Sequence, residues 1–285
     1  MNISRKILTR LVGAPLLLAA LGALLYWGYQ FELEGRPNYI LLLLLEGVAM
    51  LALVELRAFG RARNLSVDLC AVMVVLVLAG SLAPQRDPLV LWGEFSLVLF
   101  LYLCVKIVFR YGRFTPESAG FTLLVYGYLS LLLFLLIPPV PRSMATFYLL
   151  FLLAAAKGSD MAAFVVGKSM GRHKMTPVLS PNKTWEGAIG GAIVGTGAGL
   201  AVLLMTPLQG VYAGVPFLKL LFFALIVTIA AQVGDLVKSA FKRWAGVKDS
   251  GSLLPEFGGM LDMVDSFLIC APVAHLATVV LLRGH

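Results

Sequence analysis

Two aspartates three residues apart, Asp262 and Asp265, stand where the polar stretch "KDSGSLLPEFGGMLDMVDS" (248–266) gives way to a hydrophobic run. Positions i and i+3 share one face of a helix, so the pair can present two carboxylates to one point. A helix N-terminus favours negative charge and helps keep both ionised. Gly258 and Gly259, immediately before them, permit a sharp turn or the close approach of a ligand. A third carboxylate, Asp235 in "AAQVGDLVKS", ends the preceding apolar segment on the side from which the pair enters. Carboxylates gathered at a membrane surface suit Mg²⁺, a hard cation that commonly combines one or two of them with substrate phosphates. The plainer alternative makes Asp262 a helix cap and leaves Asp265 solvated. Spacing alone leaves both open.

Further charged residues lie nearby in sequence or on the same predicted side. Lys157 and Asp160 sit inside the apolar run "LLAAAKGSDMAAFVVG". Ionisable groups within a membrane are functional hypotheses by default, although i, i+3 spacing equally allows a structural ion pair. Lys242, Arg243 and Lys248, with Lys183 in "SPNKTWEG", could grip a polyphosphate and a lipid phosphate through charge-assisted hydrogen bonds. Attraction to anionic lipid accounts for such residues as well. Neither "GAIGGAIVGTGAG" nor "GDLVKS" is a Walker A loop. The first suits close helix packing in the membrane.

The elements that must position these groups are helices that cross a bilayer. Of 285 residues, 60% are hydrophobic and 13% charged, against about 25% charged in soluble domains. Runs such as "YILLLLLEGVAMLALVEL" approach the roughly 20 residues a spanning helix needs. Their solid apolar character excludes the alternating pattern of a transmembrane β-barrel. Cys70, Cys104 and Cys270 lie apart in apolar runs and read as small hydrophobes, neither disulfides nor zinc ligands. The expected fold is an all-α polytopic bundle of nine spans: 11–29, 38–56, 67–84, 89–108, 120–139, 144–167, 187–206, 217–238 and 264–282. The first shows no small-residue cleavage site and is read as an anchor.

Lysines and arginines in the segments between these spans, counted with those at the adjoining span ends (Lys106, Lys219 and Lys238), alternate in density, seventeen in one set of segments against five in the other. The positive-inside rule then places the N-terminus and the even-numbered loops in the cytoplasm. It also accounts for the formal charge of +8 without nucleic acid. Both long polar segments, 168–186 and 239–263, fall on the cytoplasmic side, so function is expected there.

The segment "SAFKRWAGVKDSGSLLPEFGGMLDMVD" (239–265) resembles the signature of the phosphatidate cytidylyltransferases, the CDP-diacylglycerol synthases. That pattern runs Ser-x-apolar-Lys-Arg, Lys-Asp-x-small, a His-Gly-Gly turn, and Asp-Arg-apolar-Asp. "SPNKTWEGAIGG" and "DMAAFVVGKSMG" are similar to two further blocks of that family. The likeness covers about residues 155–275. It divides a single membrane domain (1–285) into N-terminal spans (1–140), matched only by hydrophobicity, and a half that carries the motifs (141–285).

The resemblance implies transfer of a cytidylyl group from CTP to phosphatidic acid or a related lipid phosphate, with Mg²⁺ and room for a second cation. It implies Asp235, Asp262 and Asp265 as metal ligands. Lys242, Arg243, Lys248 and Asp249 would stand around the nucleotide or lipid phosphate. Ser180, Lys183, Thr184 and Glu186 would line a second cytoplasmic segment of the site, with Ser239 and the membrane-embedded Asp160. Expected surroundings are bacterial inner-membrane lipids, with a homodimer left open.

Four residues depart from the pattern: Phe257 for the turn His, Met263 for the Arg, Lys238 for a Glu, and Asn182 for a Lys. One reading is compensation, with Lys238 supplying the charge lost at Met263. Others are a divergent binding protein that has lost catalysis or changed substrate, and an ion-coupled transporter using Lys157, Asp160 and Asp235.

Overall fold

A computed structural model describes residues 39–82, 88–110, 114–136, 138–247 and 259–283. The N-terminal half contains helices α1 (Tyr39–Ala62), α2 (Leu69–Leu82), α3 (Pro88–Phe109) and α4 (Pro116–Ser130), and a single turn, α5 (Leu133–Leu136). After a 3₁₀ turn (Arg142–Met144) come α6 (Ala145–Met170), strands β1 (Lys174–Thr176) and β2 (Ser180–Thr184), and α7 (Trp185–Met205). The one-turn α8 (Leu208–Val211), then α9 (Phe217–Ala245) and α10 (Met260–Arg283), complete the order.

Local chemistry sets several boundaries. Thr115 caps α4, its hydroxyl accepting from the Ser118 N–H, with Pro116 opening the helix and Glu117 in its first turn. Thr184 caps α7 in the same way, accepting from the Gly187 N–H at 3.2 Å. Gly246, at φ 70°, closes α9. Its N–H donates to the Arg243 carbonyl and the Val247 N–H to that of Lys242, which satisfies the last carbonyls of the helix.

Among the described residues, five helices are long and apolar enough to cross a membrane: Val90–Phe109, Ala145–Met170, Trp185–Met205, Phe217–Ala245 and Met260–Arg283. This is an integral membrane helical protein. Helices occupy eight of the predicted spans; the span 11–29 lies outside the described residues. In 67–84 the helix is described over Leu69–Leu82, up to the edge of the described residues. One span differs from expectation. The run 120–139 breaks at Ser130, whose hydroxyl turns back to the Gly127 carbonyl. The all-α reading also missed a two-stranded antiparallel hairpin, pairing Lys174 with Thr184 and Thr176 with Ser180. It lies within the polar segment 168–186, where backbone groups leave the helix and must find other partners.

Small residues let α6 and α7 touch. A Cβ on Gly191 would meet the Ser159 carbonyl at 2.8 Å, and one on Gly195 that of Ala155 at 2.6 Å. The Gly-rich stretch thus serves the close packing expected of it. Aromatic contacts brace α9 from both halves. Phe121 and Tyr128 of α4 meet Trp244 and Phe241 at 5.1 and 5.2 Å, and Phe151 of α6 stacks on Phe223 at 5.1 Å. Arg63, just beyond α1, donates to the Trp244 carbonyl.

Candidate functional site

Glycine again decides how the site forms. A Cβ on Gly234 of α9 would lie 2.5 Å from the Asp265 carbonyl oxygen and 3.0 Å from the Ser266 Cα. Only glycine permits this approach of α9 to the first turns of α10. One turn further along α9, Lys238 then reaches across the seam. Its ammonium lies 2.9 Å from Asp235 Oδ1 and 3.1 Å from Asp262 Oδ1, and it pairs directly with Asp265 Oδ2. Lys238 and Asp265 are buried, at 7% and 2% exposure.

Around this centre the charges alternate. Lys183 of β2 meets Asp235 Oδ2 at 2.5 Å, and Lys242 meets Asp262 Oδ1 at 2.8 Å. Asp262 Oδ2 accepts from the Gly259 N–H at 3.1 Å. Asp265 Oδ1 accepts from the N–H and the hydroxyl of Ser266. Three carboxylates and three ammoniums therefore form one cluster of zero formal charge, which lets buried ions persist where a lone one would not.

The cluster borders a cavity of about 280 Å³ between α6, α7, α9, α10 and the hairpin. Asp160, Lys183, Thr184, Lys238 and the three aspartates line it, with Asn182, Met175 and Gln232. Asp160 pairs with Lys157 at 3.4 Å. Gln232 ties three helices together, its Nε2 donating to Ser159 Oγ at 2.9 Å and to the Ala188 carbonyl at 3.0 Å. Phe164 both lines the cavity and stands 68% exposed, so the cavity wall continues into apolar surface.

The expected site residues thus divide. Asp160, Lys183, Thr184, Asp235, Asp262 and Asp265 come together on the cavity, while Lys242 stands one pairing away. Arg243 points to the hairpin, donating to the Leu179 carbonyl at 3.1 Å. That bond joins the two polar segments expected on the same membrane side. Ser239 bonds back to the Asp235 carbonyl, and Ser180 pairs in the hairpin with Thr176. Glu186 accepts from the Arg172 and His173 N–H groups and from His173 Nδ1, and so fastens the hairpin to α7 away from the cavity lining. Of the four departures, Lys238 and Asn182 line the cavity and Met263 lies half-buried in α10. Lys248, Asp249 and Phe257 lie outside the described residues.

As a ligand set for a resident divalent ion, the three aspartates in this arrangement do not fit. Each of their six oxygens already meets a protein N–H or O–H, and an ammonium stands at their common point. Among the described residues, no group of three or more His, Cys, Asp or Glu side chains is arranged to hold a metal.

One contributor escaped the sequence reading. Glu55 of α1, buried at 4% exposure, accepts from the N–H groups of Met260 and Leu261 at 2.7 and 2.9 Å. It caps the helix that carries Asp262 and Asp265 from 205 residues away. An acid inside an apolar run was the available signal.

Comparison with known proteins follows the same pattern. A model of the cytidylyltransferase family matches residues 9–281. The chain is 31% identical over 243 residues to a phosphatidate cytidylyltransferase of Staphylococcus aureus (strain COL), covering 85% of this chain and 90% of that one. It is 35% identical over 177 residues to one from Staphylococcus saprophyticus, covering 62% and 65%, and 42% over 165 residues to one from Brucella suis, covering 58% and 57%. These last two matches span less than two thirds of each relative's length.

Proposed function

The chain belongs to the cytidylyltransferase family, and from that premise we propose that it transfers a cytidylyl group from CTP to phosphatidic acid. A lipid phosphate oxygen attacks the α-phosphorus of CTP. The bond from that phosphorus to the bridging oxygen breaks, pyrophosphate leaves, and CDP-diacylglycerol remains. Both reactants are anions, so catalysis consists largely of neutralising charge and holding groups in line.

The observation that carries this reading is a charged cavity whose wall continues through Phe164 into exposed apolar surface. A soluble triphosphate can enter from the polar end, and a lipid headgroup from the side. Lys183 and Lys242 each hold one aspartate, and exchanging that carboxylate for a phosphate oxygen brings cation to substrate without leaving an ion bare. A divalent cation carried in on the triphosphate would supply further neutralisation. Asp160 and Asn182 line the same cavity, where they would orient the reactants. The biased distribution of Lys and Arg supports nine spans, a cytoplasmic N-terminus and a site facing the cytoplasm of a bacterial membrane.

Purified protein in mixed micelles, given labelled CTP, Mg²⁺ and phosphatidic acid, should release pyrophosphate only when the lipid is present. Asp265→Asn should lower that rate about 100-fold or more, the scale of losing one preorganised charged group. Nucleotide binding without pyrophosphate release would favour the non-catalytic alternative. Cation-dependent flux in liposomes, insensitive to CTP, would favour transport.

A further inference from the structure

We propose that the Lys238 ammonium is a built-in cation. It takes the position that three carboxylates would otherwise offer to a metal ion, so that the nucleotide-free protein holds no divalent ion there. Any divalent ion then enters with the triphosphate, bound chiefly by phosphate oxygens. The proposal rests on the cytidylyl-transfer reading only for the identity of that triphosphate.

The geometry is specific. A flexible four-carbon stem carries a compact charge with three donors, and three separate carboxylates, Asp235, Asp262 and Asp265, each meet that nitrogen. Two helices supply them, and Gly234 brings those helices close enough for the contact. The remaining carboxylate oxygens are spoken for. Lys183 takes Asp235 Oδ2, the Gly259 N–H takes Asp262 Oδ2, and Ser266 takes Asp265 Oδ1.

Adding a divalent ion to this neutral cluster would set two further positive charges within a few ångströms of Lys238, and would break several bonds to do so. Repulsion at that distance in a partly dry site is strong. A triphosphate changes the balance. Its negative charge draws Lys183 and Lys242 away from their aspartates and supplies hard oxygens of its own, which Mg²⁺ readily combines with one or two carboxylates. The same position holding a carboxylic acid in place of Lys238 would reverse this logic, leaving four acids that demand a metal. A lysine there makes the charge covalent and permanent.

The test is binding of Mn²⁺ alone, followed by electron paramagnetic resonance, to the full-length protein in detergent without nucleotide. Wild type is expected to take up no ion that depends on Asp265. Lys238→Met, which keeps the length and removes the charge, should gain one saturable site at least tenfold tighter than any wild-type uptake. Adding Asp265→Asn to that variant should abolish it. Lys238→Gln provides the same comparison if Lys238→Met fails to fold, and the wild-type measurement needs no variant at all. The proposal is overturned if nucleotide-free wild type binds one Mn²⁺ that Asp265→Asn removes. It is likewise overturned if folded Lys238→Met or Lys238→Gln gains no site. Pyrophosphate release, measured separately, reports on the cytidylyl-transfer reading, so either idea can fail without the other.

Discussion

Gly234→Ala is the smallest change that should disable this site. The added Cβ would sit 2.5 Å from the Asp265 carbonyl oxygen, whereas ordinary contact begins at 3.4 Å. Both atoms that clash belong to backbone, so rotamer changes cannot relieve the overlap. Helices α9 and α10 must part by about 0.9 Å, and overpacking of this kind costs about 1–3 kcal/mol. The larger effect falls on function. Lys238 is anchored on one helix and Asp262 and Asp265 on the other, and a misplacement of about 1 Å in a catalytic constellation can cost about 100-fold in rate. Gly197→Ala is the matched control. Nothing stands within 4 Å of its would-be Cβ, and alanine in place of a helical glycine should be neutral or favourable by up to about 1 kcal/mol. Both variants would be purified, melted by tryptophan fluorescence, and assayed for CDP-diacylglycerol formation from labelled CTP. Gly234→Ala retaining activity within about twofold of Gly197→Ala would refute the account of how α9 and α10 assemble the site.

Other expectations test the supports of the cluster. Glu55→Ala removes both acceptors at the start of α10. Hydrogen bonds to a charged group are worth about 1.5–3 kcal/mol each, so the melting temperature should fall by several degrees and kcat should drop more than the KM for CTP changes. Glu55→Gln, which keeps one acceptor, should lie between, and an unaltered melt in Glu55→Ala would exclude the capping role. Glu186→Gln loosens the tie between α7 and the hairpin that carries Lys183. Steady-state kinetics should show a higher KM for CTP with kcat little changed, and a selective loss of kcat would place Glu186 at the chemistry instead.

How much of this was legible in the chain varies with distance along it. Helices at eight predicted spans follow from apolar run length, because a segment without water must satisfy its backbone internally. The shared face of Asp262 and Asp265 is a matter of helical periodicity, and the charge pattern set the expectation that the two polar segments lie together, as the bond from Arg243 to the Leu179 carbonyl joins them. The break at Ser130 and the hairpin at 174–184 were not legible. Both depend on single hydrogen-bonded turns that leave no periodic trace.

The composition and spacing alone determined that this protein is a membrane-embedded helical bundle with acids and bases concentrated toward one face. Only the tertiary structure decided which of them meet. Asp235 and Asp265 are 30 residues apart and reach one ammonium because Gly234 carries no side chain, and Glu55 joins the site from the far half of the chain because α1 packs beside α10. Local sequence sets which face a residue occupies through helical geometry. Contacts between helices depend on how side chains from distant segments fill the space between them, and no local rule encodes that.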